Sequence, residues 1–414
     1  MPLLGINVLP KFFQIKQTFN TLVISDVVAE TRRQMASLRL PDGRGKFVAI
    51  TAGSRGIHGI AAITKTIVDY FKELDYRPFI VPAMGSHGGA TSSGQLAVLE
   101  KCGITKISMG CEIRSSLETV VLGVYERKNA VPIEIHFDKI ASEADGVFLA
   151  NRIKPHTRFS GPIESGLSKM LMIGLGKAVG ASVYHRAFYE TGFDTAVRTI
   201  GKIIQSRVNI LGGIGIVENA EGSTAIIRAA VSDKLIETDE RLLVSAKKLL
   251  PMIPFDEIDL LFVDRIGKDI SGTGMDTNVI GRKFDDHKAV SGERPNIRCI
   301  AVRGLTPQTA GNANGIGIAE FCLSSVLREI DVEKTRINAI AANHVSAAMI
   351  PLDYPTDFDI MFAACQTLGQ IPLEELRIVW ITDTAHLETI RCSQSLKIEA
   401  ENFHNNNPER CVLM

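Results

Sequence analysis

From about residue 46 onward, short apolar runs rich in β-branched residues alternate with stretches whose apolar residues recur every three or four positions. This alternation constrains the fold more than any other feature. Strands buried on both faces and separated by helices satisfy their backbone by forming a parallel sheet with helices on either side. KFVAITAG (46–53), RPFIVPAMG (77–85) and DGVFLANRIK (145–154) read as strands, with helices expected over 59–76 and 92–103. Residues 197–231 read as a helix, a strand and a hairpin. A long helix over 238–253 meets Pro251 and Pro254, which break it and mark a domain junction. A second series follows, with strands expected over 258–266, 296–305, 337–345 and 376–384.

A chain of 414 residues exceeds one ordinary core, so two domains are expected. The boundaries are placed at 1–253 and 254–392, with the tail 393–414 packing back on the first domain. The expected class is α/β, with two domains, each a mostly parallel sheet flanked by helices, and the active site in the interdomain cleft.

Forty-six basic residues balance 46 acidic ones, and aromatics make up only 6%. Neither a global positive field nor a basic run interleaved with stacking rings is present, so nucleic acid is not the expected partner. No run of about 18 apolar residues could span a bilayer, so no membrane partner is expected. The seven cysteines are scattered and contain no C-x-x-C pair, which fits a reducing compartment and a cytoplasmic location. The last four residues, Cys411 to Met414, match a prenylation pattern but follow no polybasic segment.

In open α/β sheets, ligands gather beyond the carboxyl ends of the strands. After the first strand comes Gly53-Ser54-Arg55-Gly56, after the second Gly85-Ser86-His87-Gly88-Gly89, and after the third Lys154-Pro155-His156. His87 and His156 at strand ends could form an acid/base pair, since imidazole exchanges protons near pH 7. Arg55 could grip a carboxylate or phosphate. For each, a surface turn or a helix-flanking charge is the plain alternative. Lys169 stands in GPIESGLSKMLMIGLGKAVGA (161–181), where a desolvated amine would become nucleophilic and a snorkelling lysine is the plain alternative. The glycines there match neither the dinucleotide fingerprint nor a P-loop, and Leu167 occupies the P-loop lysine position. His185 lies among aromatic residues, where a lone histidine is more often structural than a metal ligand. No histidine spacing suits a zinc hydrolase.

An arginine after the first strand, a Gly-x-His loop after the second, a Pro-His, a Gly-rich stretch leading to lysine, and a later histidine together resemble the lactate racemase family. That resemblance implies a 2-hydroxyacid racemase or epimerase using a nickel-pincer nucleotide. Lys169 would hold the cofactor covalently, and His185, 16 residues on, would ligate the nickel. His87 and His156 would exchange the hydroxyl proton, Arg55 would bind the substrate carboxylate and Ser54 would contact the cofactor. MDTNVIGR (275–282) resembles the family's D-x-N segment, which implies substrate-binding roles for Asn278 and Arg282. Arg282 would suit a substrate larger or more anionic than lactate, such as a dicarboxylate or sugar acid. Implied partners are a small 2-hydroxy acid and the enzymes that build the cofactor, with a homo-oligomer left open. The chain departs from the family at Ala52, where an aspartate is expected, and in a His156–Lys169 spacing about three residues longer. A nicotinamide-dependent oxidoreductase and a non-catalytic protein that binds a small ligand or the cofactor are the competing readings.

Overall fold

The apolar runs become strands where helices can cover both faces of a sheet. The structure, a computed structural model, describes residues 10–19, 22–54, 56–127 and 131–414. Of His185, Arg186, Tyr189, Glu190 and Ala341 it describes the backbone alone. The chain divides into two units, each taken by itself. The first comprises Thr21–His156 and Ser160–Leu249; the second comprises Met1–Asn20, Thr157–Phe159 and Leu250–Met414. One junction between the units lies at Leu249–Leu250. The N-terminal strand, β1 (Phe12–Gln17), belongs to the second unit.

In the first unit, β2 (Phe47–Ala52), β3 (Arg77–Pro82) and β4 (Glu112–Ile113) run parallel. A separate antiparallel pair follows, β5 (Thr119–Tyr125) with β6 (Ile133–Asp138). The sheet is completed by β7 (Gly146–Arg152), β8 (Ile210–Glu218) and β9 (Thr224–Val231), giving the order β4-β3-β2-β7-β8-β9 with only β9 antiparallel. The helix Ile60–Glu73 buries Ile63, Ile67, Val68 and Phe71, one stripe at helical spacing, in a core with Val48, Ile50, Ile80 and Phe148. The helix Leu235–Lys248 packs Leu242, Leu243 and Ala246 with Ile153 and Val217. It comes close because β8 is glycine-rich: a Cβ on Gly215 would lie 2.5 Å from Ile153 and 2.7 Å from Leu242.

The second unit holds β10 (Glu257–Val263), β11 (Asn296–Val302), β12 (Phe321–Leu323), β13 (Leu352–Tyr354), β14 (Ile378–Ile381), β15 (Thr389–Ser393) and β16 (Cys411–Leu413). Their sheet runs β13-β12-β11-β10-β14-β15-β1-β16, parallel from β13 to β14 and antiparallel beyond. The α/β class and mostly parallel sheets are as expected.

The tail adds to the second unit's sheet: β16 pairs with β1, a strand within the expected first domain's residues 1–253, and β1 pairs with β15. Cys411 is 1% exposed there. Contrary to expectation, the run 337–345 is not a strand: residues 337–341 close the helix Val332–Ala341, started by Asp331, whose carboxylate accepts the Lys334 N–H at 3.0 Å, and 342–345 follow as a turn. Among the described residues no helix is long and apolar enough to cross a membrane.

Arg282 is wholly buried in the second unit. Its Nη1 donates to Glu320 (2.8 Å) and to the carbonyls of Ile318 and Asp286, and its Nη2 to that of Ile297. Removing the guanidinium leaves a carboxylate and three carbonyls short of partners. Arg282→Ala should therefore cost roughly 3–5 kcal/mol, read by urea denaturation of the variant. A loss below about 1 kcal/mol, the scale of a surface ion pair, would show that the arginine does not hold this region together.

Candidate functional site

Because β2, β3 and β7 are parallel neighbours, the loops that follow them leave the same edge of the first unit's sheet. Two of these loops join directly: Ser54 Oγ and His87 Nδ1 share a short hydrogen bond. Both also rest on the segment just after Lys169. The Gly85 N–H donates to the Gly174 carbonyl at 3.3 Å. A Cβ on Gly53 would stand 3.3 Å from Met170 Cε, and one on Gly85 would stand 3.5 Å from Ala181 Cβ. The strand-end imidazole and the lysine-bearing segment are thus packed through neighbouring residues.

What presents Lys169 is a buried carboxylate. Asp239 is fully buried and accepts the Leu167 and Ser168 N–H groups, both at 2.8 Å. Gly166, at φ +109°, leaves the room: a Cβ there would lie 2.2 Å from Asp239 Oδ1. Asn151 at the end of β7 donates to the Gly166 carbonyl at 2.7 Å. Lys169, half-buried, follows at the end of Leu167–Lys169, and the chain then makes one π-helical turn, Met170–Gly174. Burial pushes the Asp239 carboxyl up to about 7, against the opposing pull of the hydrogen bonds from Ser168 and Leu167.

The helix Lys177–Thr191, which carries His185, is anchored at two points. Lys177 lies fully buried in the left-handed region (φ +56°), ion-paired with the equally buried Asp138 at 2.6 Å and donating to the Pro82 carbonyl at the end of β3. One residue before His185, the buried Tyr184 hydroxyl donates to the His136 carbonyl at 2.7 Å. Burial also raises the Tyr184 phenol well above its ordinary range.

His156 follows β7 in a loop tied at its base. Ser165 Oγ accepts the Lys154 N–H (2.7 Å) and donates to the Lys154 carbonyl (2.6 Å). The buried Glu164 accepts the His156 N–H at 2.8 Å and pairs with Lys247 at 2.6 Å. The next residues belong to the second unit, where the Thr157 carbonyl accepts from Thr277 Oγ1 (2.6 Å) and Arg158 pairs with Asp286 (2.7 Å). Burial works to raise the Asp286 carboxyl, but hydrogen bonds from His344 and Ser346 and the nearby charges of His344 and Arg158 outweigh it, holding the group far below the usual range. Ser346 and His344 both address this one carboxylate, the buried imidazole at 2.8 Å, so the trio is wired as an anion clamp rather than as a serine nucleophile with its base.

Of the sequence-derived candidates, Ser54, His87, His156 and Lys169 therefore stand on loops at one sheet edge of the first unit. His185 lies on the helix anchored beside them, one turn beyond Ala181; its side chain, and Arg55 altogether, lie outside the described residues. Asn278, in the second unit, bonds back to Asp276 through its backbone N–H (3.0 Å) and its amide (2.8 Å). Arg282 as a substrate ligand is corrected: the residue is wholly buried, and its Nη1 and Nη2 groups donate to Glu320 and to carbonyls inside the core. The expectation of a larger or more anionic substrate rested on that arginine and loses its basis.

Sequence reading missed Asp239, Glu164 and the Lys177–Asp138 pair. For Asp239 a signal existed: it sits in the apolar stripe of its helix with Leu235, Leu242, Leu243 and Ala246. Its raised folded-state value means that the folded protein holds a proton the unfolded chain releases between about pH 4 and 7. The stability attached to this group is therefore fully present at about pH 4 and declines as pH rises towards 7. Asp239→Asn places a donor against an N–H and should cost roughly 1–3 kcal/mol, with the gap to wild type narrowing from pH 5 to pH 7.5. Urea titrations of both proteins at the two values read this, and a gap that widens with pH would contradict it.

No protein-family model matches the chain, and no curated protein matches it by sequence. Solved structures do. A Thermotoga maritima protein determined in a structural genomics programme is similar over 80% of this chain and 84% of its own, at 12% identity and a TM-score of 0.52. The lactate racemase apoprotein from Thermoanaerobacterium thermosaccharolyticum is similar over 91% of this chain and 99% of its own, at 13% identity and the same TM-score. The protein has a lactate racemase-like fold.

Proposed function

We propose that this protein is an isomerase that inverts the α-carbon of a small 2-hydroxy acid with the help of a lysine-tethered nickel-pincer nucleotide. The reading is carried by one observation: the His87 loop is packed, through Gly85, on the turn that follows Lys169. The fold shared with the lactate racemase apoprotein and the order of the candidate residues support it.

The residues present suit such a group. Lys169 is half-buried on a turn fixed by Asp239, so its amine has a defined origin for a covalent link. As the sequence resemblance implies, Lys169 would hold the nucleotide and His185 would ligate its nickel. When bound, the group supplies an acceptor and donor for the α-hydrogen as hydride. The protein's own residues handle the proton. His87, whose Nδ1 is engaged by Ser54, would use Nε2 to take or return the proton of the substrate hydroxyl. His156 would do the same for the other enantiomer, whose hydroxyl points to the opposite side. Glu164 and Ser165 fix the backbone on which His156 stands. Arg55 would draw in the substrate carboxylate.

Protein produced together with the cofactor-building enzymes should carry nickel and the nucleotide's mass on Lys169, read by peptide mass spectrometry. Lys169→Ala should lose both. His87→Ala and His156→Ala should keep them while racemisation of 2-hydroxy acids, followed by chiral chromatography of the two enantiomers, falls by about 10²–10⁴-fold. A nucleotide adduct that survives Lys169→Ala would overturn the reading, as would tightly bound NAD in a protein that takes up no nickel.

A further inference from the structure

The helix Val332–Ala341 is built inside out. Its inward residues are Thr335 and Ala339, 3% and 2% exposed, whereas Ile337 and Ile340 point outward at 61% and 65%. The helix packs on the turn Ser346–Ala348, and the chain on either side of that turn continues the outward pattern. Val345, Met349, Ile350 and Leu352 are all more than half exposed. With Val332, seven apolar side chains stand more than half exposed on this helix and the segment that follows it, whereas exposed hydrophobics on an ordinary monomer are scattered singly.

We propose that this face is the interface of a homodimer, covered by the same face of a second copy related by a two-fold axis. The gathering of exposed apolar side chains is the first reason. Charge is the second: Glu333 and Arg336 are exposed on the same helix, and neither makes an ion pair among the described residues. A two-fold operation that runs the two helices antiparallel brings the acidic position of each copy towards the basic position of the other, so the surface complements itself. A lipid surface would favour a basic rim instead, and the 46 to 46 charge balance leaves no net repulsion between copies. The contact is made by side chains, not by sheet extension. β13 is an edge strand of only three residues bracketed by Pro351 and Pro355, a pattern that blocks strand addition. The inference stands apart from the proposed reaction and survives or fails independently of it.

Sedimentation velocity and light scattering on the full chain at micromolar concentration should give twice the 45.1 kDa monomer mass. Ile337→Glu combined with Ile340→Glu replaces outward residues, so it should leave the thermal midpoint nearly unchanged while raising the dimer dissociation constant more than roughly tenfold. Glu333→Arg alone and Arg336→Glu alone should each weaken the dimer, and the exchange of both charges should restore it. A wild-type chain that stays monomeric at tens of micromolar overturns the proposal. A dimer indifferent to the isoleucine substitutions does so too, and so does a monomer that binds anionic phosphatidylserine vesicles through this face.

Discussion

The lysine-bearing turn at the sheet edge of the first unit, and the loops seated on it, lean on the carboxylate of Asp239. A buried carboxylate is costly to desolvate, and two backbone amides at 2.8 Å offset that cost. The geometry then propagates. Gly166 must be glycine, because Asp239 occupies the space of its Cβ. Leu167 and Ser168 must begin a turn, because their amides converge on one group. Lys169 is the next residue, and Met170 to Gly174 form the surface on which the Ser54 and His87 loops are seated. The helix that supplies the carboxylate reaches this depth only because Gly215 in β8 has no side chain to keep it away.

The strands that frame this arrangement were legible because they are buried on both faces. β2, β3 and β7 read as uninterrupted apolar runs, and their parallel order follows from the helices between them. The pair β5–β6 left no comparable trace: β5 is mostly half-exposed and interrupted by an irregularity in register between Val121 and Val124. The strand partner of the tail is illegible for another reason. β16 has three residues and pairs with β1 across almost the whole length of the chain, and no local pattern encodes such a partnership.

At the site, residue type and position relative to strand ends were readable, whereas the groups that hold those residues were not. His87, His156 and Lys169 announce themselves by unusual neighbours in sequence. Asp239 lies about 70 residues from the amides it holds, and Lys177 meets Asp138 only after the helix and the hairpin are in place. Arg282 shows the same limit in reverse. An arginine after an Asp-x-Asn segment looks like a ligand for an anion, and only the approach of Glu320 and three carbonyls reveals that its charge is already answered.

The run 337–345 takes its place among the expected strands beside 258–266, 296–305 and 376–384 because it too is a short apolar stretch. The backbone follows the local signals instead: Asp331 caps the first turn, and Thr335 and Ala339 let the helix lie close to its own unit. The isoleucines of this run remain when the secondary structure is corrected. Small residues inside and isoleucines outside leave apolar surface in water. In the proposed homodimer a second copy removes that surface from water, which is the gain that would hold the two copies together.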